Sequence, residues 1–228
     1  MFGTLVNTLA IAAGSLVGLA FRGGIPLHYQ QTVIQAIGLA VVLIGMTGAL
    51  KTRDILVVIF SLAIGSILGE WLRIEARLNQ LGKWLEKKCA QSEGGIARGF
   101  VTASLIYCIG SMAIVGSMES GLTGNHQTLY AKSVLDGISA IIFASTLGAG
   151  VLFSAISVGV YQGILTLSAV LLKPYLIPQV VDQMSSVGGI LIMAIGFNLL
   201  EIKKMNVGNM LPAIFMPLAY YIIEQMIR

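Results

Sequence analysis

Lys132 and Asp136 stand four positions apart in the run Ala131-Lys132-Ser133-Val134-Leu135-Asp136-Gly137. On a helix that spacing puts both side chains on one face, where they can pair. A carboxylate set a turn or more inside a membrane span is costly unless partnered or hydrated, so it marks a functional site by default. Its possible work is specific: to bind a cation or to carry a proton. The plainer alternative is a salt bridge near the membrane surface, with Lys132 snorkelling outward.

The segment before this pair is rich in small residues, with Gly110-Ser111 and Gly116-Ser117 recurring in it. Such pairs can loosen a helix, and loosened backbone is tolerated in lipid only where it faces protein or a wet cavity. A helix broken there could offer carbonyls to a cation or N–H groups to an anion. Close helix packing accounts for the same residues equally well. Further hydrogen-bonding groups are Thr47, Asn198 and Gln162, with Asn7, Ser157 and Tyr161 beside them. They could converge at a membrane midplane, although hydrogen bonding between helices is the duller account of each. Glu70 and Glu119 read as solvated.

The elements that must position these residues are membrane helices. The chain has 228 residues, of which 56% are hydrophobic and 11% charged, with 27 glycines. Its mean hydropathy is +0.88, which does not describe a soluble domain of this length. A bilayer core needs about 20 mainly apolar residues per helix. Such stretches run at 3–21, 31–50, 55–70, 99–118, 133–152, 154–172, 184–201 and 206–225. The first has no basic leader and no cleavage pattern, so it reads as a retained helix rather than a signal peptide. The segment from Glu70 to Gln91 differs, with Trp71, Ile74, Leu78, Leu81 and Leu85 on one helical stripe and charges elsewhere. It reads as an amphipathic helix at the membrane surface, its Trp71 and Trp84 suited to the headgroup layer. The hinge after it is expected at 91–95.

Two stretches match at an offset of 151 residues: Gly38 to Gly45 lies over Gly189 to Gly196, Arg53 falls on Lys204, and Arg22 on Lys173. Three spans before and three after two central ones put equivalent helices five crossings apart, so the duplication would be inverted. The expected fold is therefore all-α: a polytopic bundle of seven or eight transmembrane helices, a 3+3 inverted repeat with two central helices. Residues 1–73 form repeat one, 74–98 the amphipathic helix and linker, 99–152 the central helices and 153–228 repeat two.

The loop with Arg73, Arg77, Lys83, Lys87, Lys88 and Arg98 is the most basic, which places it in the cytoplasm and the N-terminus outside. With eight spans, Lys51, Arg53, Lys132, Lys173 and Arg228 then fall outside. Cys89 and Cys108 make no disulfide framework, and His28 and His126 are too isolated to be metal ligands. Neither a metal nor a cofactor is expected. No His-Glu-x-x-His, Gly-x-Ser-x-Gly or nucleotide-binding loop occurs, so the chain is not expected to be an enzyme.

Five strings carry a family resemblance: Gly69-Glu70-Trp71-Leu72-Arg73-Ile74-Glu75, the run Ser104 to Cys108 leading to Gly116-Ser117 and Gly121-Leu122-Thr123-Gly124, Ala131 to Asp136, Ala144 to Gly148, and Asn209 to Ala213. With them the chain resembles the bacterial YqgA/YdfK-like inner-membrane family over essentially its full length. The resemblance implies a multi-spanning protein of the bacterial inner membrane, and it supplies no substrate or ligand residues. The expected function is secondary transport or an ion pathway for a small cation or polar solute, proton or sodium coupling being open. The alternative is a non-transporting scaffold or accessory subunit. Partners are then the lipid bilayer and a small ion or polar solute, not nucleic acid, and the small-residue helix faces leave a homo-oligomer open.

Overall fold

Few strong helix breakers interrupt the apolar runs, and the chain becomes helix almost wherever such a run occurs. The computed structural model describes residues 1–22, 27–51, 54–88, 95–109 and 111–227. The elements are α1 (Phe2–Arg22), α2 (Leu27–Ala49), α3 (Ile55–Leu72), α4 (Ile74–Lys88), α5 (Gly95–Cys108), α6 (Ser111–Leu122), α7 (Gln127–Leu147), α8 (Gly150–Leu167), α9 (Ala169–Leu172), α10 (Pro178–Leu199), a 3₁₀ segment (Val207–Phe215) and α11 (Met216–Ile227). Among the described residues there is no strand. Among the described residues six helices are long and apolar enough to cross a membrane, α7 with its two charges not being one of them, and α5 with α6, bent by 60°, would make a seventh. Leu39, Leu43, Ile59, Ile67, Ile156 and Leu167 are exposed on these helices, as lipid-facing residues must be in a multi-pass membrane protein.

The chain divides into two compact units. The first contains Met1–Ile34, Arg77–Cys108 and Met112–Val170. Here α1 runs parallel to α7, because Gly3 meets Leu129, Gly14 meets Gly137 and Ala140, and Gly18 meets Ile141 and Ala144. A Cβ on Gly14 or Gly18 would collide with the carbonyl oxygen of Gly137 or Ile141. Backbone-to-backbone packing of this kind requires glycine, and in lipid it replaces the hydrophobic drive between helices. α8 crosses α1 antiparallel, Thr4 hydroxyl to Thr166 hydroxyl at 3.4 Å and Thr8 against Gly159. α6 returns antiparallel to α7, with Ser120 near His126 and Gly116 against Leu129.

The second unit contains Gln35–Ala76, Ile109–Ser111 and Leu171–Arg228. In it α2 lies antiparallel on α10. A Cβ on Gly45 would sit 2.6 Å from the Gly189 carbonyl oxygen, and one on Gly196 2.9 Å from that of Gly38. α3 packs on the 3₁₀ segment in the same sense, Gly65 against Ala213 and Gly69 against Asn209. At its end Arg73 takes a left-handed φ of 51°, which separates α3 from α4. The corner is held by reciprocal capping. Asn209 Oδ1 accepts the Glu75 backbone N–H at 2.7 Å, Glu75 Oε2 accepts that of Gly208 at 2.7 Å, and Asn209 Nδ2 donates to Glu70 Oε2 at 2.5 Å. Each helix start thus obtains an acceptor for an otherwise orphaned N–H.

Several expectations change. The fourth span is not one straight helix over 99–118 but the pair α5 and α6. The fifth begins at Gln127 rather than 133, which draws Lys132 out of the outer loop and into a helix with 7% of its surface exposed. Trp71 ends α3 instead of sharing the amphipathic stripe of α4. Glu70 is exposed, as expected of a solvated charge, and accepts from Asn209, while the half-buried Glu75 caps the start of the 3₁₀ segment. Pro212 lies inside the 3₁₀ segment and Pro217 in the first turn of α11, so the prolines divide the last span into two helix types. The hinge expected at 91–95 and Gly110 lie outside, or mostly outside, the described residues.

Candidate functional site

The site grows from α7, whose sequence puts Lys132 and Asp136 one turn apart on a buried face. Asp136 is 6% exposed. Lys132 Nζ donates to Asp136 Oδ1 at 2.9 Å and lies 2.8 Å from Oδ2, so one ammonium faces both carboxylate oxygens. Asn7 of α1 donates from Nδ2 to Asp136 Oδ2 at 3.0 Å. A carboxylate can only accept, so it fixes the Asn7 amide with its nitrogen toward Asp136 and leaves Asn7 Oδ1 without a partner. The parallel register of α1 on α7, set by glycines, is what brings Asn7 to this height. The cluster is neutral in sum, which lowers the cost of burying it.

Around this pair lies a layer of buried polar atoms with no hydrogen-bond partner: Asn7 Oδ1, Ser117 Oγ, and both Gln162 Oε1 and Nε2. Ser117 and Gln162 are fully buried. Their level follows from the contacts on either side. Gln162 lies between Gly159, which touches Thr8, and Thr166, which touches Thr4, and this bracket on α1 includes Asn7. Ser117 is one turn before Gly121, which packs on the Thr166 carbonyl. α1, α7 and α8 therefore contribute to one polar layer within about one helical turn, ~5 Å, and Ser117 of α6 stands at its edge, since Gly116 before it packs on Thr128 and Leu129, about two turns from Asp136 along α7. Orphaned buried amides are rare in folded proteins, and a site for water, ion or solute is the usual reason for them. Deeper along α7, Ser139 Oγ donates to the Tyr107 hydroxyl at 3.4 Å.

A family model described as a protein of unknown function, DUF554, matches residues 2–222. The chain belongs to the DUF554 family. The family resemblance read from the sequence is thereby shown. Two relatives are similar along their whole lengths. One, named "Uncharacterized membrane protein YdfK", from Bacillus subtilis (strain 168), is 36% identical over 221 residues, covering 95% of this chain and 94% of the relative. The other, named "Uncharacterized protein YqgA", from Escherichia coli (strain K12), is 29% identical over 228 residues and covers 96% of each. No solved structure matches.

In this DUF554 chain the remaining sequence candidates have separate fates. Gly116 packs against Leu129 and Thr128, a close-approach role. Ser111 opens α6, and Gly110 lies outside the described residues. Thr47 and Asn198 do not converge. Thr47 is exposed and its hydroxyl donates to the Ile44 carbonyl at 2.7 Å, the ordinary arrangement of a threonine inside a helix. Asn198 bonds both ways to Met205, Nδ2 to the carbonyl at 2.8 Å and Oδ1 to the N–H at 2.7 Å, and so closes the turn after α10. Ser157 and Tyr161 line a different feature, an apolar groove of about 560 Å³ between Trp84, Phe100 and Phe153. Sequence reasoning placed Asn7 among minor groups and missed its bond to Asp136. The signal that could have found it is the glycine register Gly3, Gly14 and Gly18 on α1, which predicts a tightly packed partner at the height of Asn7.

Proposed function

We propose that this DUF554 protein is a secondary transporter or ion pathway of the bacterial inner membrane for a small cation or polar solute. The observation that carries the reading is the buried Lys132–Asp136 pair with Asn7, set beside unpartnered amide and hydroxyl groups from three other helices. Charged groups inside membrane helices mark substrate and ion routes more often than they mark structure.

Helix directions support eight crossings. α1 and α7 are parallel and α8 is antiparallel to α1. Counting α1, α2, α3 and then the bent α5–α6 pair as one crossing makes α7 the fifth and α8 the sixth, which agrees with both directions. A re-entrant α5–α6 pair would reverse both. An inverted duplication is supported by reciprocity. At the 151 offset Gly38 corresponds to Gly189 and Gly45 to Gly196, while the contacts made are Gly45 with Gly189 and Gly38 with Gly196. Such exchange is what a two-fold axis across the helices produces, and transporters use it to form two states of similar energy.

With the basic segment from Arg73 to Arg98 inside, eight crossings put both termini outside the cytoplasm. Reporter fusions should accordingly show alkaline phosphatase activity at both ends. A cytoplasmic C-terminus with an external N-terminus would remove the eight-span reading. For transport, purified protein in liposomes should move at least one species from a panel of inorganic ions and small metabolites. Asp136→Asn, still inserted and monodisperse, should slow that flux by about tenfold or more, as expected from loss of one charged interaction. Undiminished flux in the variant would sink the role of Asp136. Absence of flux for every species would favour the scaffold reading.

A further inference from the structure

The unpartnered atoms around Asp136 have a composition that speaks for one ligand class. Asn7 Oδ1 and Gln162 Oε1 are neutral oxygens, each buried and without a hydrogen-bond partner, on α1 and α8. Asp136, on α7, adds a carboxylate at the same level. Oxygens in this number with a single negative charge suit a hard cation of charge one. A divalent ion in an all-protein cage calls for more carboxylates, and among the described residues no group of three or more Asp, Glu, His or Cys side chains could hold one. The nitrogen Gln162 Nε2 stays available to donate to a water that accompanies the ion.

Lys132 completes the logic. Its ammonium occupies the Asp136 carboxylate from 2.8 and 2.9 Å, as a second monovalent cation would. Ammonium and metal ion are therefore alternatives at one carboxylate, since two like charges that close repel strongly in a buried site. We infer that the layer formed by Asn7, Asp136 and Gln162 is a binding site for an alkali-metal cation, and that the Lys132 ammonium competes with that cation for Asp136. This rests on the transport reading for its purpose, but binding can be measured without flux.

The test uses the full chain in detergent, with thermal unfolding followed in sodium, lithium, potassium and choline chloride at equal ionic strength. Wild type should melt about 5 °C higher in at least one alkali chloride than in choline, the rise that selective binding to the folded state produces. Lys132→Gln removes the competitor and should reach half of its stabilisation at a salt concentration about tenfold lower. Gln162→Met leaves the charge pair intact and replaces an unsatisfied amide with an apolar group of similar length. It should fold and melt normally in choline yet lose the alkali-dependent rise. This variant keeps the inference falsifiable should Lys132→Gln fail to fold. Equal melting of wild type in all four salts would overturn the site, and so would an alkali-dependent rise that persists in Gln162→Met. A site that fails alongside measurable flux of another solute would leave the transport reading standing. A site that succeeds without flux would separate binding from transport.

Discussion

Asp136→Leu made alone should destabilise the protein by about 3–5 kcal/mol, whereas Lys132→Met with Asp136→Leu should recover most of that loss. Removing the carboxylate leaves the Lys132 ammonium buried with 7% exposure, and the Asn7 amide loses the acceptor it meets at 3.0 Å. Removing both charges leaves an apolar pair, and such replacements are often neutral or favourable. The measurement is a double-mutant cycle on unfolding in mixed micelles, with Asn7 unchanged. A coupling energy near zero would mean that Lys132 reaches water in the folded state, and the buried pair would be lost as the basis of the site. A large coupling energy combined with lost flux in the double variant would mean that the pair is retained for function at a cost in stability.

Gly69→Ala should be nearly as damaging as the loss of the carboxylate, at about 3 kcal/mol, the upper end of overpacking penalties. The added methyl would collide with the backbone carbonyl of Asn209, which cannot rotate aside as a side chain can. Moving Asn209 would also break its bonds to Glu70 and to the Glu75 N–H, so steric and polar losses add. Gly124→Ala is the control. Gly124 has φ +68° and open space around it, so only the left-handed backbone resists the substitution, at a cost of about 1–2 kcal/mol. Melting temperatures of the two variants should differ in that order. Equal small losses would show that α3 and the 3₁₀ segment separate freely, against the close packing described.

The sequence makes the helices legible because hydropathy is a sum over some 20 residues and tolerates local error. Lys132 with Asp136 could be read because four positions is one helical turn. Asn7 and Gln162 do not stand out in the sequence, since nothing in their own neighbourhoods tells which of many polar residues will be buried. Their importance comes from the register between helices, a property of pairs. Thr47 and Asn198 show the converse. Positions that correspond at the 151 offset need not face each other, and here one bonds its own helix while the other closes its own turn. The fourth span divides at Ser111, in one of the Gly-Ser pairs able to loosen a helix, whereas Gly116-Ser117 stays helical, and the 3₁₀ geometry of the last span has no such signal. Proline signals a lost hydrogen bond and not which helix type replaces it.

That 3₁₀ geometry changes the reach of the final span. Nine residues from Val207 to Phe215 rise about 2.0 Å each instead of 1.5 Å, so they cover roughly 18 Å where an α-helix would cover roughly 13.5 Å. With the twelve residues of α11 the segment extends about 36 Å, beyond a hydrocarbon layer of about 30 Å, and the excess must be taken up by tilt or by ends standing in the headgroups. Twenty-one residues thus do the work of twenty-four, and Asn209, third in the segment, stands near its starting end, where its capping partners lie.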